Sequence, residues 1–352
     1  MTTAYHPQDI FKYCFQAAFG AEHFVLNKEN AQYHFNEEYE DTPASDIELE
    51  EVLSENASRI NMGAWKKFGL PSEWLFNMFY YSINEEYIYF DEFEESHVKD
   101  KEEKKEAARH LYFKLVDEAE ELTKQGAFPF SYEGFINYKK ELLADGEPKP
   151  VRHSYEYREK EMPAYRVISK RKSRLIPILK AANGLENKII AIDGRAGSGK
   201  STMGVDLENI LEAWVIKMDN FFLPKDYRTK ERLEAPGGNI HYERFIDHVL
   251  KHLVAGENFD YEGYDCVAED YLRAYSVYNY KWIVIEGSYS QHPNFNDYMG
   301  LRVFSDVEPD EQILRIKFRG STAAKRFQDI WIPMEEKYFE TFKIKEKSDL
   351  IV

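Results

Sequence analysis

The spacing of apolar side chains differs between the two halves of the chain. In the first half, apolar residues recur every three or four positions, which is typical of amphipathic helices. This spacing predicts a helix from Pro7 to near Gly20, one from Ser45 or Asp46 towards Leu53, and two more over 71–83 and 100–126. The run 57–62 predicts a short strand. We therefore expect a mainly helical N-terminal domain.

From Lys188 onward, short and unbroken apolar runs alternate with amphipathic segments. The apolar runs are 189–192, 214–218, 282–285 and 301–304, and the amphipathic segments include 202–213 and 242–253. Unbroken apolar strands separated by helices predict a parallel sheet covered on both faces. We expect an α/β domain with a parallel sheet flanked by helices, preceded by the helical domain.

The boundary between the two domains is predicted near residue 160. The stretch 146–161 is polar, with prolines in and around it, as in a linker. A chain of 352 residues is also long for one hydrophobic core. We expect a mainly helical acidic domain over 1–160 and the α/β domain over 161–352. The basic stretch 170–180 predicts a helix that Pro177 either bends or starts.

The formal net charge is −17, and it is concentrated in the first half. Residues 1–160 hold 18 Lys and Arg against 33 Asp and Glu, and the remainder is close to neutral. This charge excludes a non-specific binder of nucleic acid or of an anionic membrane, because both need clustered positive charge. A local phosphate site stays open, because a few basic side chains and backbone N–H groups suffice for one.

Cysteine content and hydropathy bear on the compartment. Cys14 and Cys266 are the only cysteines, so no disulfide framework is implied. No apolar run approaches the ~20 residues that span a membrane, and the N-terminus lacks an apolar signal core. We expect a cytoplasmic protein without membrane partners.

A phosphate-binding loop stands out after the first strand of the α/β domain. Residues 194–201 fit the pattern G-x-x-x-x-G-K-[ST], follow a predicted strand and precede a predicted helix. Glycines let backbone N–H groups point at phosphates, and the helix N-terminus adds favourable partial charge. Lys200 is predicted to reach the β- and γ-phosphates, and the Ser201 hydroxyl to bind Mg²⁺. The nucleotide-binding residues predicted here are Gly194, Arg195, Ala196, Gly197, Ser198, Gly199, Lys200, Ser201 and Thr202.

Two acidic residues follow other predicted strands. Asp219 comes after 214–218, where a carboxylate faces the ligand crevice of a parallel sheet and can accept a proton from an attacking hydroxyl. Glu286 ends the strand 282–285 and can hold Mg²⁺ through its water shell. A turn or capping role is the alternative for each.

Residues 188–352 resemble the uridine kinase-like branch of the P-loop kinases. Beyond the loop, the matching stretches are 218–222, 237–245, 264–265, 284–287 and 331–333, followed by Glu336, Tyr338 and Phe339. The resemblance implies a P-loop kinase-type sheet that binds ATP and Mg²⁺. It implies that Asp219 activates the substrate hydroxyl and that Glu286 supports Mg²⁺.

The resemblance also implies a basic lid and an acceptor site. The lid candidates are Arg315 and Arg319, with Lys325 and Arg326 as further ones; their alternative is a solvated basic face. The acceptor candidates are Arg228, Arg232, His241, Tyr242, Tyr264 and Asp265. Nucleoside-specific members carry a His soon after the Tyr-Asp pair, and 266–270 contains none. The resemblance therefore leaves the acceptor open between a nucleoside and a sugar-like molecule.

Three hypotheses follow for the whole chain. The favoured one is an ATP-dependent kinase that phosphorylates a hydroxyl of a small molecule. The sequence leaves open whether the chain forms a homo-oligomer. The second is an ATP-binding switch that controls protein contacts of the acidic domain. The third adds a separate N-terminal active site, built from residues that flank the first helix, among them His6, Asp9, Glu22 and His23. For these residues, helix caps and surface positions are the alternative.

Overall fold

The computed structural model describes residues 3–21, 27–83, 101–266, 268–317 and 321–352. They divide into two compact units, one ending at Arg174 and the other beginning at Leu175. The predicted boundary at 160/161 therefore lies inside the first unit. The reason is local: Tyr165–Ser169 forms a strand that pairs with Ala57–Asn61, so the chain stays in the first unit beyond the polar stretch.

In the first unit, the described residues form eight helices and a small antiparallel sheet. Its helices are α1 (Pro7–Phe19), α2 (Lys28–Asp41), α3 (Met62–Lys67), α4 (Ser72–Ile83), α5 (Lys101–Lys124), α6 (Tyr132–Leu142), α7 (Tyr155–Glu161) and α8 (Lys170–Ser173). The strands β1 (Glu50–Val52), β2 (Ala57–Asn61) and β3 (Tyr165–Ser169) pair in the order β1-β2-β3. The predicted mainly helical architecture is confirmed.

Three of the helices predicted for this unit are present, and one is not. α1 has Pro7 in its first turn and Gly20 as its C-cap, as expected, and the helices over 71–83 and 100–126 are confirmed as α4 and α5. The helix predicted from Ser45 or Asp46 towards Leu53 is wrong. Its second half is β1, because Glu50 pairs with Ile60 across the sheet.

The second unit is built on a five-stranded parallel sheet. The strands β4 (Ile189–Gly194), β5 (Trp214–Lys217), β8 (Ile283–Glu286), β9 (Leu301–Ser305) and β10 (Leu350–Ile351) lie in the order β10-β9-β4-β8-β5. A separate antiparallel pair, β6 (Phe259–Asp265) and β7 (Asp270–Val277), stands apart from this sheet. The predicted α/β fold class is confirmed, whereas the β6-β7 pair has no counterpart in the prediction.

The second unit also contains helices, and those over 176–182, 200–211 and 344–347 pack against strands of the sheet. The helices of this unit are α9 (Ile176–Ala182), α10 (Lys200–Leu211), α11 (Lys230–Glu234), α12 (Tyr242–Phe245), α13 (Lys251–Ala255), α14 (Pro309–Lys317), α15 (Ser321–Arg326), α16 (Ile332–Phe342) and α17 (Ile344–Lys347). Pro177 lies in the first turn of α9, one of its two predicted positions. Among the described residues, no helix combines the length and the apolar composition needed to span a membrane.

The sheet order determines where functional side chains can meet. All residues of β8 are buried, as are all but the first of β4, so both strands are central. β4 has β8 on one side and β9 on the other, and β5 pairs with β8. Because the strands are parallel, their carboxyl ends share one edge. The phosphate-binding loop after β4 and the acids after β5 and β8 therefore lie at that edge.

A test of this core uses Gly300, which precedes β9. A Cβ there would lie 1.8 Å from the carbonyl oxygen of Asn187, so Gly300→Ala must push two backbone segments apart. Gly256 is the matched control, because its φ of +68° strains an alanine but nothing lies within 4 Å. We expect Gly256→Ala to lose about 1 kcal/mol of unfolding free energy and Gly300→Ala roughly 3 kcal/mol. Equal losses in urea denaturation would contradict the close approach.

Candidate active site

The phosphate-binding loop joins β4 to α10 through glycines with positive φ. Gly194, Gly197 and Gly199 have φ values of 137°, 73° and 98°. A Cβ on Gly194 would lie 2.0 Å from the carbonyl oxygen of Ser305, so only glycine fits there. Gly199 is the N-cap of α10, and no side chain caps this helix. The first N–H groups of α10 thus have no side-chain acceptor, which fits a phosphate at this helix end.

Lys200 turns back onto its own loop. Its Nζ donates to the carbonyl oxygens of Gly194 and Arg195, both at 2.8 Å. The side chain is buried, so its cation lies inside the loop and not in solvent. Thr202, also predicted to bind nucleotide, is half-buried in the first turn of α10.

Side chains from distant helices hold the loop in shape. Glu335 of α16 accepts a hydrogen bond from Ala196 N at 3.0 Å, and Gln312 of α14 donates to Ala196 O at 3.0 Å. Arg195, predicted to bind nucleotide, forms ion pairs with Glu336, at 2.7 Å, and with Asp306. Sequence reasoning did not identify Glu335 or Gln312 as partners of the loop. The one available signal was that Glu336 belongs to the matching stretches.

Asp193, the residue before the loop, is a fully buried carboxylate that sequence reasoning also missed. It accepts hydrogen bonds from Gly194 N, Tyr289 N, Gln291 N and the Tyr338 hydroxyl, at 2.8 to 3.1 Å. Burial raises its pKa although these donors oppose the shift. This carboxylate fixes the start of the loop to the chain after β8 and to α16.

Ser201 and Glu286 meet beside the loop. The Ser201 hydroxyl donates to Glu286 Oε2 at 3.2 Å, and the Glu286 side chain is buried. Burial, reinforced by the negative charge of Asp219, raises the pKa of Glu286 to about 7. A hydroxyl and a carboxylate are oxygen ligands of the kind that Mg²⁺ takes together with water and phosphates. No cluster of three His, Cys, Asp or Glu side chains suited to a metal occurs among the described residues. Two protein oxygens leave room for water and phosphate ligands, so the Ser201–Glu286 pair fits an ion that is also held by a nucleotide.

Asp219 lies in the turn Met218–Phe221 directly after β5, and it is exposed. The last residue of β5, Lys217, is in register with Glu286. The charge of Asp219 acts on the pKa of Glu286, as does that of Lys200. The structure thus brings together Asp219, Glu286, Lys200 and Ser201 at the carboxyl edge of the sheet.

Of the two arginines predicted in the lid, Arg315 contacts the phosphate-binding loop. Its Nη1 donates to the carbonyl oxygen of Gly197 at 3.2 Å, and its Nε donates to Glu311 at 2.9 Å. It belongs to α14, the helix that also carries Gln312. Arg319 lies outside the described residues.

The acceptor candidates fall into two groups. Arg228, Tyr264 and Asp265 lie on the same side as Asp219, close to Cys266. Burial raises the pKa of the Cys266 thiol, and the charges of Arg228, Asp219, Asp265 and Arg326 act on it as well. Arg228 donates to Leu223 O at 2.7 Å, and Tyr264 is buried on β6.

The second group organises the turn that contains Gly237 and Gly238. Arg232 donates to Gly238 O and Ile240 O, pairs with Glu243 at 2.8 Å and lies 3.6 Å above the Tyr242 ring. His241 caps α12 through Nδ1. Arg232 and His241 therefore already have partners within the protein.

The N-terminal candidates lie in helix caps. His6 caps α1 and accepts from Gln8 N, while Asp9 accepts from the backbone N–H groups of Tyr5 and His6. Asp9 also accepts from Ser154, which starts α7. Glu22 and His23 lie outside the described residues. The capping alternative accounts for His6 and Asp9.

Comparison with known proteins gives one sequence relative. No family model matches the chain. Over 184 residues the chain is 27% identical to a protein named uridine kinase from Chlamydia pneumoniae, a match that covers 47% of this chain and 80% of that protein. Part of this chain is similar to uridine kinase-like P-loop kinases. The resemblance inferred from the motifs is thereby confirmed.

A solved structure also matches. It is described as a possible uridine kinase from Bacillus stearothermophilus, with 19% sequence identity and a TM-score of 0.41, and the match covers 51% of this chain and 96% of that one.

The raised pKa of Glu286 has a consequence for stability. Its carboxyl titrates at about 7 when folded and ordinarily near 4.5, so the folded state holds the proton more tightly. This tighter proton binding stabilises the folded state. Its contribution is complete below the pKa of the unfolded state and is lost as the pH rises through 7, by about 3 kcal/mol in total. Glu286→Gln cannot titrate. We expect the unfolding free energy of Glu286→Gln, measured by denaturant titration, to rise relative to that of the wild type between pH 5 and pH 8. If the difference between the two proteins stays constant over this pH range, the raised pKa of Glu286 is contradicted.

Proposed function

We propose that the second unit transfers the γ-phosphoryl group of ATP to a hydroxyl of a small molecule. The observation that carries this proposal is the position of Asp219. It is an exposed carboxylate at the carboxyl edge of the sheet, close enough to Glu286 and the phosphate-binding loop for its charge to raise the pKa of Glu286. A loop of this kind binds phosphates in many protein classes, whereas an adjacent carboxylate outside the loop is what an acceptor hydroxyl requires.

The loop residues 194–202 bind the nucleotide in this proposal. The uncapped start of α10 and the glycine backbone hold the phosphates, and Lys200 moves from the carbonyl oxygens of Gly194 and Arg195 to the β- and γ-phosphates. Arg315, already in contact with Gly197, adds a guanidinium group over the transferring phosphate. A like role for Arg319, which lies outside the described residues, stays a prediction.

Ser201 and Glu286 are the residues that would hold Mg²⁺. The ion, when bound, neutralises charge on the phosphate oxygens. The Glu286 carboxyl must be ionised to interact with a cation, and a nearby cation favours that form. The two side chains are already in contact through the Ser201 hydroxyl, so their oxygens need little rearrangement.

Asp219 orients the acceptor and takes its proton. In the transfer, the acceptor oxygen bonds to the γ-phosphorus, the bond to the leaving ADP oxygen breaks, and the hydroxyl proton passes to the Asp219 carboxylate. Arg228, Tyr264 and Asp265 lie on the same side and bind the rest of the acceptor, with Arg232, His241 and Tyr242 shaping the neighbouring turn. We infer the acceptor class, a nucleoside or a sugar-like molecule, from the similarity to a uridine kinase.

A cytoplasmic location stays a prediction.

Asp219→Asn tests the proposal. It keeps the size of the side chain but removes the base, so we expect phosphoryl transfer to fall by about 10²–10⁴-fold across a panel of nucleosides and sugars. ATP binding, measured by calorimetry, should stay within about twofold of the wild type. Asp260→Asn on β6 is the control, because that side chain is exposed and lies outside the proposed site; it should transfer phosphate normally.

The same variant separates the kinase from an ATP-binding switch. A switch that controls contacts of the acidic domain does not need a hydroxyl-activating carboxylate. An ATP-dependent pull-down that is unaffected by Asp219→Asn, with no acceptor phosphorylated by the wild type, would favour the switch and contradict the kinase.

A further inference from the structure

Arg244 is a buried arginine that has no ion-pair partner in the part of the chain that the structure describes. Its side chain belongs to α12, and the residue is only 8% exposed. Nη1 donates to the carbonyl oxygen of Asn220 at 3.1 Å. Nη2 is buried and has no hydrogen-bond partner. Arg244 forms no ion pair with any carboxylate among the described residues.

Such an arrangement is costly. Burial lowers the pKa of Arg244, and the charges of Tyr271, Glu262 and Tyr261 oppose the shift without cancelling it. An unpaired buried charge typically costs several kcal/mol, and an unsatisfied donor adds to that cost. The chain has 63 acidic residues, so a carboxylate partner would have been easy to supply. Because an unpaired buried guanidinium group lowers the stability of the fold, we expect Arg244 to have an anionic partner that is not part of the chain.

The position of Arg244 points to the acceptor side of the proposed active site. Asn220, which accepts its hydrogen bond, is the residue after Asp219. The ring of Phe221, from the same turn, lies 4.8 Å from the guanidinium carbon. Arg228 and Arg326 also lie on this side, where their charges act on Cys266 together with that of Asp219. Positive charge therefore gathers around the carboxylate that is proposed to activate the acceptor.

We propose that Arg244 binds an anionic group of the acceptor, so that the substrate is a hydroxyl compound carrying a phosphate or a carboxylate. This inference rests on the proposed function and narrows its substrate class. A guanidinium group donates two parallel hydrogen bonds to a carboxylate or a phosphate, and a neutral sugar or nucleoside offers no such partner. Arg228 adds a second positive charge to the same subsite.

Tyr271 covers the subsite in this proposal. Its ring lies 4.6 Å from the guanidinium carbon of Arg244 and 5.3 Å from the ring of Tyr264. It is 38% exposed on β7, so its side chain has room to turn outward. Turning it away uncovers the guanidinium, and the ring can then close against the bound acceptor.

The test compares pairs of acceptors in which one neutral hydroxyl-bearing group is replaced by an anionic group. Ribose is paired with ribose 5-phosphate, and glycerol with glycerate, and kcat/KM is measured with the full chain and ATP. We expect the wild type to favour at least one anionic member at least tenfold over its neutral partner. The two pairs distinguish a phosphate from a carboxylate. A wild type that uses neutral acceptors equally well would overturn the inference while leaving the kinase intact, and this result needs no variant.

Variants connect that preference to Arg244. Arg244→Met should abolish the preference, lowering kcat/KM for the anionic member at least tenfold while its KM for ATP stays within twofold. Arg244→Lys keeps the charge without the planar fork and should retain part of the preference. Arg302→Met is the control, because Arg302 lies on β9 and already pairs with Asp297; it should behave like the wild type. A preference that survives Arg244→Met would overturn the assignment.

Binding measurements keep the two proposals distinguishable. With a non-hydrolysable ATP analogue present, calorimetry reports acceptor affinity without turnover. If anionic compounds bind with affinity that depends on Arg244 but none is phosphorylated, the anion subsite stands and the proposed kinase reaction fails. If Arg244→Met lowers the thermal unfolding midpoint below the assay temperature, Arg244→Lys and the wild-type ratios decide the outcome.

Discussion

A single buried carboxylate, that of Asp193, holds the functional edge of the second unit together. It has no solvent exposure and accepts four hydrogen bonds, two from the chain after β8, one from the start of the phosphate-binding loop and one from α16. A buried carboxylate without such donors would be strongly unfavourable, so displacing any one of the three segments would weaken the site of Asp193. The loop, the residues after Glu286 and the helix with Glu335 therefore form one cooperative structure.

The sequence predicted the parts of this structure that depend on local pattern. Strands β4, β5, β8 and β9 were visible as apolar runs, and the phosphate-binding loop as glycines followed by Lys200. The residues that support the loop were not visible, because Glu335 and Gln312 lie 139 and 116 residues from Ala196. Contacts at that separation leave no periodic signal in one sequence. The segment of β1 was misread for a similar reason, because its pairing with β2 decides its extended conformation.

Arg59 of the first unit and Arg244 of the second differ in how their guanidinium groups are satisfied. In the first unit Arg59 is 4% exposed, and all its nitrogens have acceptors: Nε and Nη2 donate to Gln16, and Nη1 pairs with Glu51 at 2.9 Å. The ring of Tyr165 lies 4.6 Å from its guanidinium carbon. This is how the fold satisfies a cation that it uses for structure. Arg244 has comparable burial without comparable partners, which is the contrast expected between a structural arginine and one that binds a ligand.

The hydrogen bonds of Lys200 bear on how tightly this loop can hold a nucleotide. Its ammonium group has the carbonyl oxygens of Gly194 and Arg195 as acceptors, both at 2.8 Å. A phosphate must therefore compete with these two oxygens, and its net gain from the lysine is the difference between two sets of hydrogen bonds. In return, the lysine keeps the loop in one conformation, so little chain entropy is lost on association. The affinity of this loop for a nucleotide therefore depends on how well phosphate oxygens replace the two carbonyl oxygens as acceptors for Lys200, in a loop whose backbone is already in its binding conformation.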